Sequence, residues 1–431
     1  MKLFLLFFLA LSLYGAKIQI IKKENKDSNT TLLVIGGIHG NEPGGYFAPA
    51  ILAMHYKILS KNLWIVPNLN QESIQANKRG INGDMNRKFA HIKKNDKDKE
   101  IVQGIKNIIL SKEVSLVLNL HDGHGFYRKD YQGSIFNPNA WGQTCVIDQC
   151  KLNVNQEFGN LNDIAKKVMK NINKKLIKKH HSFNVKNTNT KFDDEAMRNS
   201  LTYFAVTHNK PAFAIETSKN LKTLSQKVFY QLMAIEEFMN IMGIKYKRDF
   251  ELNIETISKI IRQYGILTIN DNIKVDLSIV KKVLRFMPIK FSYNKYNFTH
   301  PLGSVKKDKY GNRNIYIGNK KVTILKPEYF KMADGCPKKI KYRVDKKDVE
   351  YDLTSTFFVN DDFLVKNIEG IRVNIIGFST KNKNEVDVSV SYKDLDSKYA
   401  IYKDNRSFRI EFYKDDGFCG MAIARFKKEK E

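Results

Sequence analysis

Two histidines and a glutamate, His39, Glu42 and His121, have the types and settings to share one metal ion. His39 and Glu42 fall in Gly36-Gly37-Ile38-His39-Gly40-Asn41-Glu42-Pro43-Gly44. The glycines allow a tight turn, across which an imidazole nitrogen and a carboxylate oxygen can meet at one zinc ion. Taken alone, the pair has a blander reading: a loop histidine beside a glutamate at a helix N-terminus, where negative charge is favourable. His121 strengthens the metal reading, because it directly follows the apolar run Val114–Leu120 in Asn119-Leu120-His121-Asp122-Gly123-His124-Gly125. Two nitrogens and one carboxylate leave a fourth position for water, as in catalytic zinc sites. His124 is a rival ligand, and His124 or Asp122 could instead orient a ligand from outside.

Glu216 ends the run Ala212–Ile215 and precedes Thr217-Ser218-Lys219. Beside a metal it suits a general base that takes a proton from water and passes it to a departing amine. By itself it reads as a glutamate that reaches solvent or pairs with a nearby lysine. Arg79, Asn86 and Arg87 share one glycine-containing loop, Lys78 to Phe89. Two arginines there suit a substrate with a negative end and a carbonyl that becomes an oxyanion. In a very basic chain the same loop reads as plain surface.

These residues need elements to place them. Thr31–Gly36, Leu63–Val66, Val114–Leu120 and Ala212–Glu216 are short, apolar and partly β-branched, which predicts strands. Tyr46–Tyr56, Lys99–Leu110, Leu161–Leu176 and Gln226–Met242 carry apolar residues at helical spacing. Alternation of this kind predicts an α/β domain over 17–245 with a mainly parallel sheet. In such sheets the site lies at the carboxyl ends of the strands, where His39, His121 and Glu216 all fall. Beyond Lys245 the texture changes. After one helical stretch, Thr256–Tyr264, short alternating runs such as Ile315–Gly318, Val322–Leu325, Arg372–Gly377 and Glu385–Ser391 predict mostly β structure. Two small domains are expected there, 246–340 and 341–431.

The 431 residues exceed one ordinary core, and 42% hydrophobic with 27% charged is a globular balance. A net charge of +28 suits nucleic acid, an anionic membrane or an acidic polymer, or reflects a lysine-rich composition with no partner at all. The N-terminus narrows this. Lys2, the apolar run Leu3–Leu13 and Tyr14-Gly15-Ala16 have the form of a secretory signal peptide over 1–16. The bulky Tyr14 leaves an uncleaved anchor as the alternative. The run is shorter than the about 20 residues that span a bilayer, so no stable membrane insertion is expected. Export to the periplasm weighs against nucleic acid and permits disulfides. Cys145 with Cys150, and Cys336 with Cys419, is the expected pairing of the four cysteines.

The ordered set HGNE, an arginine before DMNRKF, a strand-end LHD and then AIE resembles the zinc carboxypeptidases of the carboxypeptidase A type. The aspartoacylase and succinylglutamate desuccinylase branch shares much of it. The resemblance covers roughly Lys17–Lys245. It implies one zinc ion on His39, Glu42 and His121, with Glu216 as base. It further implies that Arg79 polarises the scissile carbonyl and that Asn86 and Arg87 grip a terminal carboxylate. Tyr203, in Leu201-Thr202-Tyr203-Phe204, is the nearest counterpart of the family's mobile-loop tyrosine. Through the LHDGHGF segment and the overall length, the chain is more closely similar to periplasmic peptidoglycan carboxypeptidases of helical ε-proteobacteria. Those trim muramyl tripeptide to dipeptide, release terminal meso-diaminopimelate and help set helical cell shape. Peptidoglycan stem peptides are then the expected partner, and an acidic polymer gives the positive charge a use. The alternatives are an exported aspartoacylase-like amidohydrolase of N-acyl amino acids and a non-catalytic wall-binding scaffold. The C-terminal modules count against the first, and the full set of site residues counts against the second.

Overall fold

Seven strands build the sheet that carries the site. In chain order these are β1 (Ile21–Lys23), β2 (Thr31–Ile35), β3 (Asn62–Val66), β4 (Val114–Gly123), β5 (Thr144–Ile147), β6 (Asn184–Asn187) and β7 (Ala212–Ser218). The structure, a computed structural model, describes residues 18–25, 28–381 and 383–428. The expected signal peptide, 1–16, lies outside the described residues. The spatial order is β1-β3-β2-β4-β7-β5-β6. The middle four strands, β3, β2, β4 and β7, are mutually parallel, as the alternation predicts. β1 is antiparallel to β3, and β5 is antiparallel to β7, so the sheet is mixed at its margins. Every residue of β2 and β3 is buried, as expected of parallel strands covered on both faces.

Helices α1 (Pro43–His55), α2 (Lys99–Ile109), α3 (Leu161–Ile172), α4 (Leu201–Thr207), α5 (Leu224–Ile241) and α6 (Ile254–Ile260) accompany the sheet. Pro43 starts α1, where its missing N–H costs nothing. Gly44 and Gly45 let this helix press onto β4. A Cβ on Gly45 would stand 2.6 Å from the Leu120 carbonyl oxygen, and one on Gly44 would stand 2.3 Å from Asp122 Oδ1. The first glutamate of the site is thereby brought against the strand that carries His121.

The chain divides into two compact units, Met1–Arg262 and Gln263–Glu431. The first continues beyond the expected boundary at Lys245, because α6 packs on α5. The second is β-rich, with three-, four-, five- and four-stranded sheets. Most of the expected runs are strands there: Arg313–Ile317, Lys320–Tyr329 and Ile371–Ile375. Glu385–Ser391 is an exception, contributing only Val390–Ser391. Among the described residues, no helix is long and apolar enough to cross a membrane.

The cysteines divide. Cys336 and Cys419 form a disulfide with Cα atoms 5.5 Å apart, within a core that includes Phe357, Phe363, Phe408 and Phe412. The expected Cys145–Cys150 bridge is absent. β5 turns Cys145 into the sheet's core while Cys150 is exposed, and sulfurs directed apart cannot be joined without moving backbone. The 83-residue separation of the second-unit bridge makes its loss costly. Cys336→Ser should lower stability by about 2–4 kcal/mol, read as a drop in thermal midpoint that reductant reproduces in the wild type. A variant that melts with the unreduced wild type would refute this.

Candidate active site

His39 comes from the loop between β2 and α1, Glu42 stands at the first cap of α1, and His121 comes from β4. All three are buried, and their ligand atoms lie within 4.8 Å of one another. The Glu42 carboxylate makes no cap hydrogen bond to its own helix. It turns to the histidines: Oε1 lies 3.1 Å from His39 Nδ1, and Oε2 lies 2.9 Å from His121 Nδ1. The two Nδ1 atoms face each other at 3.2 Å. At most one proton can sit between them, whereas a divalent cation accepts both lone pairs and the carboxylate at once. The donors therefore fit a metal ion.

The electrostatics agree. Burial alone would discourage a charge on His39, but the Glu42 carboxylate and the bond to Asp84 outweigh it and push its pKa up to about 8. Burial opposes ionisation of Glu42 as well, yet the histidines hold it well below the usual carboxylate range. His121 is lowered by desolvation. A proton on His39 thus faces Glu42 alongside Arg79 and Lys219. A metal ion would take over that role.

Asp84 holds His39 from behind, with Oδ1 2.8 Å from Nε2. That contact places the ring proton on Nε2 and leaves Nδ1 free to ligate. The same carboxylate caps the short turn Met85–Arg87 by accepting from the Asn86 N–H, and Oδ2 accepts from Arg79 Nε at 2.9 Å. Asp84→Asn should weaken metal affinity about 10–100-fold, measured by competition against a chelator. An unchanged affinity would show that His39 is oriented by packing alone.

His121 lies inside its strand, since β4 runs on to Gly123. Successive strand residues face opposite sides, so His121 and Asp122 part company. Asp122 accepts from the Gly44 N–H at 2.8 Å and from Thr217 Oγ1 at 2.5 Å, on the far side from the ligands. Burial pushes its pKa up to about 6. Its tie to Gly44 clamps α1 onto β4. His124 is exposed and uses its carbonyl to hold Trp141 and Gly142.

Glu216 also lies within its strand, because β7 continues to Ser218. It is the parallel partner of His121, so both side chains rise from the same face. Glu216 is half-buried at the cleft floor, and desolvation first, then the nearby Glu42 charge, push its pKa up to about 8. A cation among His39, Glu42 and His121 would pull it back down. The open cleft, about 270 Å³, is lined by His39, Glu42, Arg79, Asn86, Arg87, His121, Glu216 and their neighbours. Arg79 is 45% exposed at its side chain and donates to Glu42 Oε1 at 3.1 Å. Asn86 Oδ1 accepts from the Leu201 N–H at 3.0 Å. Tyr203 does not line the cleft. Ser200 caps α4 through the Tyr203 N–H, and the helix start presents Thr202 instead.

Two members were not legible beforehand. Asp84 had a faint signal in Asp84-Met85-Asn86, an aspartate poised to cap the turn behind it. Lys219, whose Nζ lies 3.3 Å from Glu42 Oε1, had none among so many lysines.

Comparison with known proteins gives a consistent result. Residues 1–262 match the catalytic family of carboxypeptidases controlling helical cell shape, and 333–427 match the C-terminal domain of metallo-carboxypeptidase. Apo cell shape determinant protein Csd4 from Helicobacter pylori is 34% identical, covering 95% of this chain and 99% of its own, with TM-score 0.88. Its tripeptide-bound form matches with the same identity, coverage and TM-score. The form of this D,L-carboxypeptidase bound to mDAP is 34% identical over 94% of this chain and 100% of its own, TM-score 0.88. No curated protein matches the chain.

Proposed function

The chain belongs to the family of carboxypeptidases that control helical cell shape, and from that premise we propose that it is a zinc-dependent D,L-carboxypeptidase of peptidoglycan. It removes terminal meso-diaminopimelate from muramyl tripeptide in the periplasm. One observation carries the reading: Glu216 shares a sheet face and a cleft with the buried His39–Glu42–His121 cluster. The match to a relative seen with tripeptide and with mDAP supports the substrate.

One zinc ion per chain, held by His39, Glu42 and His121, would supply Lewis-acid polarisation of the carbonyl and a lowered pKa for water. The chain's own groups do the rest. Arg87 and Asn86 take the terminal carboxylate. Because Asn86 Oδ1 is occupied by the Leu201 N–H, its amide presents Nδ2–H donors to the substrate. Arg79, beside Glu42, places positive charge where the carbonyl oxygen becomes an oxyanion. Glu216 accepts the proton of the attacking water as the C–O bond forms. It then returns that proton to the amine as the C–N bond breaks.

Digestion of muramyl tripeptide by the zinc-loaded mature protein, followed by mass spectrometry, tests this directly. Release of one diaminopimelate per tripeptide is expected. An intact tripeptide, with zinc demonstrably bound, would defeat the assignment and turn attention to N-acyl amino acids.

A further inference from the structure

In the second unit, Val283–Ile289, Gly303–Lys307, Arg313–Ile317 and Lys320–Tyr329 make one four-stranded sheet. Their pairing brings the loop 290–294 and the turn 308–312 to the same end of it. Ile289 lies beside Tyr329 in parallel, so those two strands finish together. Lys307 faces Arg313, and Arg313 faces Leu325, which sets the turn 308–312 at that end too. The Tyr329 hydroxyl reaches the turn, standing 3.3 Å from where a Cβ on Gly311 would lie. Each loop is fastened from within. Buried Asn294 accepts from the Lys290 N–H through Oδ1 at 2.9 Å and donates to the Lys290 carbonyl through Nδ2 at 2.9 Å. Asp308 Oδ1 accepts from the Tyr310 and Asn312 N–H groups, each at 2.9 Å.

These fastened loops hold aromatic rings out to solvent. Phe291 is 81% exposed, Tyr293 79% and Tyr310 77%, with Tyr329 at 41% between them. Phe291 meets Tyr329 edge-on, ring centroids 5.2 Å apart, so the rings run on from one loop to the other. Single exposed aromatics need no partner, but joined ones at one end of a sheet mark an interaction surface. Lysines alternate with the rings. Lys290, Lys306, Lys307 and Lys309 flank them, and none of the four pairs with an acid among the described residues. Of the neighbouring acids, Asp308 is spent on its own turn and Asp271 on Lys295 at 3.0 Å, which leaves Glu328 against this positive charge.

We propose that this end of the sheet is a docking surface for an anionic lipid bilayer, on which the second unit settles without any spanning segment. The proposal goes beyond the carboxypeptidase reading and does not depend on it. Tyrosine and phenylalanine rings gain by leaving water for the headgroup zone, where a tyrosine hydroxyl still finds partners. Lysines beside them lay their stems along the apolar layer and keep their charges at the acidic headgroups. Loops already held in place lose little freedom on binding. Ring geometry argues against a sugar as the occupant. The planes of Phe291 and Tyr329 stand at 74°, which offers no shared flat face, whereas the headgroup zone takes rings in any orientation.

The test is sedimentation of the mature protein with vesicles of phosphatidylcholine, alone or mixed equally with phosphatidylglycerol. Wild type should bind the mixed vesicles and stay in the supernatant with phosphatidylcholine alone. Phe291→Ser combined with Tyr293→Ser should weaken binding to mixed vesicles by about tenfold or more. Both rings are exposed, so this variant should melt with the wild type. Lys306→Gln combined with Lys307→Gln should also weaken binding by about tenfold or more. Lys341→Gln with Lys347→Gln removes the same charge from another exposed hairpin and should change binding by less than about twofold. Binding that the aromatic pair leaves intact, or equal losses from the two lysine pairs, overturns the proposal. Wild type that ignores mixed vesicles overturns it as well, and sedimentation with purified peptidoglycan through the same rings would then assign the surface to the wall polymer.

Discussion

Glu216→Gln should lower kcat on muramyl tripeptide by about 10²–10⁴-fold while metal content stays at one ion per chain. The substitution keeps the shape of the side chain and removes its ability to accept a proton. The fold has no need of the charge. Glu216 is half-buried beside Glu42, and its pKa is raised, so ionisation at this position opposes folding rather than assisting it. For a carboxylate raised above its unfolded value, the cost appears as pH climbs from about 4.5 through about 8. The variant should therefore melt at or above the wild-type temperature near pH 8. Activity runs the other way with pH. A base works only when deprotonated, so kcat/KM of the metal-loaded enzyme should rise along an acid limb set by Glu216, which the cation holds below its metal-free value. If kcat drops by no more than a few-fold, the proton is taken by another group.

Stripping the metal with a chelator is expected to abolish hydrolysis and to lower the thermal midpoint together. An ion present at about 1,000 times its dissociation constant stabilises the folded chain by about 4 kcal/mol. The ligand cluster makes the effect pH-dependent. His39 holds a proton up to about 8, so below that pH the proton competes with the metal for Nδ1. Metal affinity should thus increase from pH 6 to pH 8, seen by titration with a fluorescent zinc indicator. The chelated chain has the opposite trend. The raised His39 pKa contributes stability that is complete below about 6.5 and is lost as pH rises through about 8. Equal midpoints for chelated and loaded protein at pH 8 would mean that the three residues do not bind the ion tightly.

Much of this site could be read from the chain because its parts are local. His39 and Glu42 announce themselves through glycines packed into one turn, and His121 and Glu216 through apolar runs whose direction aims them. The strand ends were misjudged in the same way twice. β4 and β7 each continue into polar residues, Asp122 and Ser218, because neighbouring backbone rather than apolar character keeps a strand going. The rival His124 lies beyond the end of β4 and is exposed, while His121 is held within the strand beside His39 and Glu42.

Cys145 shows where local pattern misleads, and Tyr203, taken from the resemblance, stands off the lining of the cleft. A tyrosine of the right type sits in a helix whose start presents Thr202 to the cleft, and a cysteine five positions from another is turned inward by its strand. The distant cysteine pair, Cys336 and Cys419, does meet. Hydrophobic period and turn chemistry act over a few residues, and they determined the α/β order, the candidate ligand group of His39, Glu42 and His121, and the β-rich second unit. Asp84 behind His39, Lys219 on Glu42 and the ring stack of Phe126 and His181 join segments 45 to 177 residues apart. Only the register of the sheet and the packing of its loops decided those, since nothing in a local stretch of sequence fixes which distant side chain will close the contact.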